Sequence, residues 1–450
     1  MLSMIQRRIE PGIRVFILVW FGQLISLTGS GITGFALGIW VYQRTGSATQ
    51  FALISLFVML PSILMSPLAG ALVDRWNRRW AMILSDTGAA MSTLAIALLV
   101  MTDNLEIWHI YLATAITSTF SAFQWPAYSA AITLLVPKQH FGRASGMTQL
   151  AEAVAQLISP VLGGVLLVTI QLQGVILLDL ATFLVALVIL LLVRFPDVKT
   201  TVVKQVVKSG LLHEAAYGWH YIMARPGLLG LLILFAASNF LVGIVSVLIT
   251  PLALSFTSVT VLGTILSIGG IGMLMGSLVM STWGGPQRLI YGVFGFQLLG
   301  GMCILTAGLH TIVPFLAISA FLFFFSLPII NSCSQAIWQK KVAPDVQGRV
   351  FAMRRMIAWS SLPLAYLVAG PLADYVFEPL LMTPHSYLAN SIGQIIGVGP
   401  GRGIGLLFMV MGTLTLLATV VAFQYPRLRR VEDELPDVVA DIPNHSTNPP

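Results

Sequence analysis

Three carboxylates in this chain stand where a carboxylate is costly. Glu152, Asp86 and Asp179 each lie inside a long apolar run, and an ionisable side chain within hydrocarbon is a functional candidate by default. Glu152 falls ten residues beyond Gly142, ~15 Å along a helix, which puts it near mid-bilayer. A carboxyl there that loads and unloads a proton as two sides open in turn is a coupling device. The competing reading is a neutral glutamic acid hydrogen-bonded across a helix contact. Asp86 lies about two turns of helix from Arg79, so it serves either a charge network at the helix end or proton coupling. Asp179 and Asp374 sit toward the other ends of their runs, where each either holds a gate or meets the wet interface. Asp179 sits deeper and is the third proton-coupling candidate.

A ligand cavity would draw on polar and aromatic residues inside the apolar runs. The first run offers Gln23 and Ser26, the fourth Phe123, Gln124 and Tyr128, the seventh Asn239, and the tenth Asn331 and Gln335. Aromatics beside uncharged amides suit a bulky, weakly polar small molecule. For each aromatic, lipid contact or helix packing is the rival reading. No metal cluster, nucleophile triad or phosphate-binding loop stands out, so neither cofactor, metal nor catalytic activity is expected. Cys303 and Cys333 fall within apolar runs and read as buried thiols.

The elements that must position these residues follow from composition. Only 9% of the 450 residues are charged and 57% are hydrophobic, against about a quarter charged in a soluble domain. Twelve runs are long enough to span a bilayer, from 14–41 to 404–424, and each must be a helix, because lipid offers no partner to an exposed backbone amide. Of the 24 Lys and Arg, only Arg44 and Arg402 fall on the outside if both termini are cytoplasmic, as the positive-inside rule expects. The net charge of +7 is spread over short loops, which leaves no continuous basic surface for nucleic acid. The first run is long enough to span and reads as a retained helix rather than a signal peptide.

These runs divide into a cytoplasmic N-terminus (1–13), a six-helix half (14–193), a cytoplasmic linker (194–227), a second six-helix half (228–424) and an acidic, Pro-rich tail (425–450) expected to be disordered. Within the linker, Leu211–Met223 has apolar residues at helical spacing and reads as a helix, either lying on the membrane surface or in solution. The halves repeat: Gly142-Arg143, Met147 and Gly164 recur at one common separation as Gly348-Arg349, Met353 and Gly370. Two parallel six-helix repeats are the plan of a major facilitator superfamily (MFS) carrier, an all-α polytopic membrane protein.

Two motifs resemble that superfamily. GALVDRWNRR at 70–79 resembles its signature loop G-x-L-x-D-R-x-G-R-R, with Asn77 for one glycine. The resemblance implies gating roles for Gly70, Asp74, Arg75, Arg78 and Arg79. Asp74 would face the N-terminal end of the eleventh helix, whose exposed amides favour an anion, and so close the cytoplasmic side. The arginines also read simply as topology determinants. AQLISPVLGG at 155–164 resembles the exporters' antiporter motif G-x-x-x-G-P-x-x-G-G through Ser159, Pro160, Gly163 and Gly164. Gly269, Gly270, Gly272 and Gly276 in the eighth run are its expected packing partners, and ordinary helix packing is the rival reading.

TGSGITGFALGIWVYQRTGSA, FQWPAYSAAITLLVP and GPLADYVFEP further resemble the drug:proton antiporter-3 group, which includes macrolide efflux pumps and the enterobactin exporter. The resemblance covers roughly 12–425 and implies a monomeric secondary transporter in the inner (plasma) membrane, exporting amphipathic small molecules in exchange for protons. A dedicated siderophore or lysophospholipid carrier, a membrane-embedded enzyme and a non-transporting sensor are the alternatives.

Overall fold

The computed structural model describes residues 11–73, 76–137, 141–193, 211–309, 312–343, 346–382 and 393–434. The first six long helices are α1 (Pro11–Thr45), α2 (Ala48–Val73), α3 (Arg78–Met101), α4 (Ile107–Leu135), α5 (Phe141–Thr169) and α6 (Gln171–Leu192). A linker helix, Leu211–Met223, precedes α7 (Pro226–Leu254), α8 (Val259–Trp283), α9 (Leu289–Leu309), α10 (Val313–Lys341), α11 (Gln347–Pro371) and α12 (Arg402–Gln424). Among the described residues, eleven helices are long and apolar enough to cross a membrane. The remaining long helix, α4, has 29 residues but is diluted by its serines, threonines and Gln124.

The helix contacts of the first half recur in the second when six is added to each label. α1 packs on α5 and α6, as α7 does on α11 and α12; α4 packs on α2 and α3, as α10 does on α8 and α9. Between the halves, α5 meets α8 and α2 meets α11, the same pairing seen from either side. Large apolar side chains point outward along the helices, such as Leu64, Leu184 and Leu192, as lipid-facing surfaces must. Pro126, Pro160, Pro328 and Pro363 stand inside α4, α5, α10 and α11. Each removes one ladder hydrogen bond and bends its helix, and these four fall in equivalent pairs, α4 with α10 and α5 with α11, whereas Pro61 of α2 and Pro251 of α7 have no such counterpart.

Two segments differ from the composition-based expectation or sharpen it. The linker helix packs on the second half: Ile222 is fully buried there, and Arg349 lies over the Tyr217 ring, 5.5 Å from its centroid. The described part of the tail forms the short helices Pro426–Arg429 and Val431–Glu434. Its Leu428 and Val431 are buried against the second half. Glu432 accepts from the amides of Leu289 (3.2 Å) and Ile290 (3.0 Å) at the start of α9, an anion at a helix N-terminus. The acidic composition of the tail hid these anchoring residues.

Close helix approach is clearest between α9 and α12. A Cβ built on Gly412 would stand 2.6 Å from the Leu305 nitrogen and 2.8 Å from the Gly301 oxygen. Small residues at such contacts let membrane helices pack backbone to backbone. Gly412→Leu is therefore expected to cost about 1–3 kcal/mol through overpacking and to lower the melting temperature in detergent. Gly295→Ala, where an added Cβ meets nothing within 4 Å, should leave it unchanged.

Candidate functional site

Among the described residues, the most fully bonded junction between the halves lies at the end away from the basic loops, called here the far end. α11 passes through a single π turn, Leu372–Phe377, before Glu378–Met382, and such turns often mark functional positions. The π turn carries Asp374. Its carboxylate accepts from Ser47 Oγ (2.7 Å) and from the amides of Ala48 (3.0 Å) and Thr49 (2.8 Å). These are the first amides of α2, which have no partner within the helix and favour an anion. One turn earlier, Gly370 lies against the backbone of Thr49, where an added Cβ would stand 2.8 Å from the Thr49 nitrogen. Tyr42 adds a hydrogen bond to the Pro251 carbonyl (3.4 Å) from α1 to α7.

The corresponding lock at the basic end was expected of Asp74 and Arg75, which lie outside the described residues. Gly70 stands in the last turns of α2. Arg79 donates to the carbonyls of Leu190 (2.8 Å) and Leu191 (2.6 Å), so it caps the end of α6 within its own half. Arg78 is half-buried at the start of α3. Sequence reasoning left Asp374 between gate and interface, although a signal was present. GPLAD at 370–374 repeats the G-x-L-x-D of GALVD at 70–74, each at the end of its helix.

The α5 motif faces two ways. Ser159 donates to the Thr28 carbonyl of α1 (3.2 Å), and Gly163 lies against Phe35 of the same helix. On the other side, Gly164 meets the Val259 carbonyl and Gly263 meets that of Pro160, both across to α8. Ser267 donates to the Leu157 carbonyl (2.6 Å). Of the four α8 glycines expected to pack here, Gly270 does, against Leu157. Gly269, Gly272 and Gly276 face α10 instead, at Phe324, Phe321 and Phe325. Gly263 takes their place.

Inside the first half, three candidates come together. Gln124 Nε2 donates to Gln23 Oε1 (2.9 Å), and Gln23 Nε2 donates to Asp86 Oδ2 (3.1 Å), so α4, α1 and α3 are joined through one buried carboxylate. Farther along α1, Asp179 of α6 accepts on Oδ1 from Ser30 (3.3 Å) and Thr182 (3.4 Å). Gln23, Ser26, Ser30 and Thr33 share one face of α1 by helical spacing, and Ser26 is buried. Glu152 is half-buried on α5, within electrostatic reach of Tyr128, whose hydroxyl stands beside Thr148. Phe123 packs with the apolar core of this half.

The second half holds uncharged amides. Gln297 donates to Ser238 Oγ, and Asn239 donates to the Ala358 carbonyl (2.8 Å), from α7 to α11. Asn239, Gln297 and Asn331 line a cavity of about 200 Å³. Gln335 is not among its walls; its Oε1 accepts from Arg354 Nη1 (2.8 Å). Arg354 also reaches Ser334 (3.2 Å) and lies 5.1 Å from the Trp338 ring centroid. Sequence reasoning counted this arginine with the loop cations, although it stands about two turns inside α11. Among the described residues no group of three or more metal-ligating side chains occurs.

The sequence profile of the Major Facilitator Superfamily matches residues 19–365. Macrolide efflux protein A of Streptococcus pyogenes is 24% identical over 422 residues, 93% of this chain and 97% of that protein. Multidrug efflux pump Tap of Mycolicibacterium fortuitum is 24% identical, over 92% of this chain and 97% of its own. Among solved structures, a bacterial homologue of the human lysosomal transporter Spinster superposes with a TM-score of 0.69 at 15% identity, covering 95% of this chain and 99% of that one.

The far-end junction sets a measurable expectation. Asp374→Ala removes the anion and its three bonds to Ser47, Ala48 and Thr49, a loss of about 1–2 kcal/mol on the scale of helix caps. In a variant with Thr250→Cys, which places a thiol at a buried far-end position, adding Asp374→Ala should raise the labelling rate by a membrane-impermeant maleimide roughly five- to thirtyfold.

Proposed function

The chain belongs to the Major Facilitator Superfamily, as a multi-pass protein of the cell membrane, and from that membership we propose that it is a proton-driven exporter of amphipathic small molecules. The observation that carries the coupling is the pair Asp86 and Asp179. They are 6% and 2% exposed, and the partners described for them are an amide and hydroxyls. A buried carboxylate with no cation against it is costly as the anion, so it holds a proton whenever one is supplied. Opening toward an acidic side loads the proton, and opening toward the cytoplasm releases it. The efflux roles named for the two relatives support the direction and the cargo class.

In this reading the basic end is cytoplasmic, both termini lie there, and a monomer is the working unit. The two six-helix halves rock about the α5–α8 and α2–α11 contacts. With Asp374 seated on α2 the far side is closed, and cargo enters from the cytoplasm or the inner leaflet. The amide-lined cavity of the second half and the polar stripe of the first face the route between them. Asp74 closes the opposite side in the alternate state.

The test is accumulation of a panel of fluorescent and macrolide-like compounds in cells with and without the protein, before and after a protonophore. The reading expects lower accumulation that the protonophore abolishes. It also expects Asp86→Asn and Asp179→Asn each to remove most of the gradient-driven efflux, roughly tenfold or more, since a missing titrating group stops the cycle. Glu152→Gln separates a third coupling group from a packing residue. Efflux that persists with the protonophore present, or in both aspartate variants, contradicts the coupling.

A further inference from the structure

A cavity of about 230 Å³ lies within the first half, walled by α1, α2, α3, α4 and α6. Its walls are mainly aliphatic surface and the methyl and methylene groups of serines and threonines, with Phe183 on one side. Among the described residues one charged side chain, that of Asp179, lines it, and no Lys, Arg or His does. Asp179 is 2% exposed. Its hydrogen bonds from Ser30 and Thr182 are long and both fall on Oδ1, and its described neighbours are neutral hydroxyls that leave its charge unbalanced. Thr33 also lines the cavity. It is 6% exposed, and its Oγ1 stands beside the Asp179 carboxylate with no other partner among the described residues.

We propose that this cavity binds the ammonium group of an amphipathic organic amine, with Asp179 as counter-ion and Thr33 as a hydrogen-bonding wall. An alkylammonium matches the site on each count. Its N–H donates a charge-assisted bond to the carboxylate, and its alkyl groups lie against apolar walls. A bare alkali cation would need several oxygens converging at about 2.4 Å, and a space this size holds several waters' worth of volume. The inference rests on the exporter reading, whose cargo class it narrows to amines. It also gives the site a logic for exchange, because a proton and an ammonium compete for the same oxygen.

Gly34 offers a clean probe. It lines the same cavity, and a Cβ added there meets nothing within 4 Å. Gly34→Val therefore fills space without displacing a neighbour.

The experiment is equilibrium binding to the purified full-length protein in lipid nanodiscs, read by fluorine NMR. The probes are para-fluoro-benzyldimethylamine and its neutral counterpart, N,N-dimethyl-para-fluorobenzamide. The site predicts saturable binding of the amine and none of the amide. Asp179→Asn and Gly34→Val should each weaken the amine at least about tenfold, the loss expected for one charge-assisted hydrogen bond. Thr33→Val, nearly isosteric, should weaken it several-fold. Amine and amide binding alike, Asp179→Asn or Gly34→Val binding as the wild type does, no saturable binding, or displacement of the amine by sodium chloride but not by choline chloride would each overturn the proposal. No gradient is involved, so failure here leaves proton-driven export standing, and failed export leaves this binding result intact.

Discussion

Hydrocarbon surrounds about thirty ångströms of each helix, so polar groups there find their partners inside the protein. That constraint orders what is seen. Backbone amides are satisfied within helices. Hydroxyls of Thr28, Ser85 and Thr415 turn back to carbonyls one turn earlier. Amides work in chains, as Gln124, Gln23 and Asp86 do. Asp179 and Thr33 meet at one cavity, while other buried oxygens without a partner, on Gln124 and Gln297, lie elsewhere.

The same constraint explains how two halves can hold together and yet separate. The α5–α8 contact is made by glycine, proline and serine against backbone, with little side-chain interlock to unpick. The far-end contact adds one carboxylate on the first amides of α2. Such a cap is worth about 1–2 kcal/mol, modest enough to be broken in the cycle proposed above. The recurrence of G-x-L-x-D at 70–74 and 370–374 gives each half one such aspartate in its sequence.

Much of this was legible in the residues. Apolar runs bounded by basic loops marked the long helices, because lipid leaves no other backbone solution. Asp86, Gln23 and Gln124 were visible as polar residues in apolar runs, though not as one connected set. The rest depended on rotation and on distant contacts. The glycines of α8 fall on two faces, 263 with 270 and 269 with 272 and 276, and spacing alone does not say which neighbour each face meets. Asp374 finds partners more than three hundred positions away, beyond any local pattern. Arg354 sat beside Arg355 and looked like a loop cation.

The central claim is that two rigid halves close the two ends in alternation, with Asp374 holding the far end. Distances between spin labels report it most directly, one pair joining α2 and α11 at the far end and another joining α5 and α8 at the basic end. The account predicts anticorrelated shifts: Asp374→Ala lengthens the far-end distances and shortens the basic-end ones. Two ends that move together, or a far end unchanged by the substitution, would contradict it.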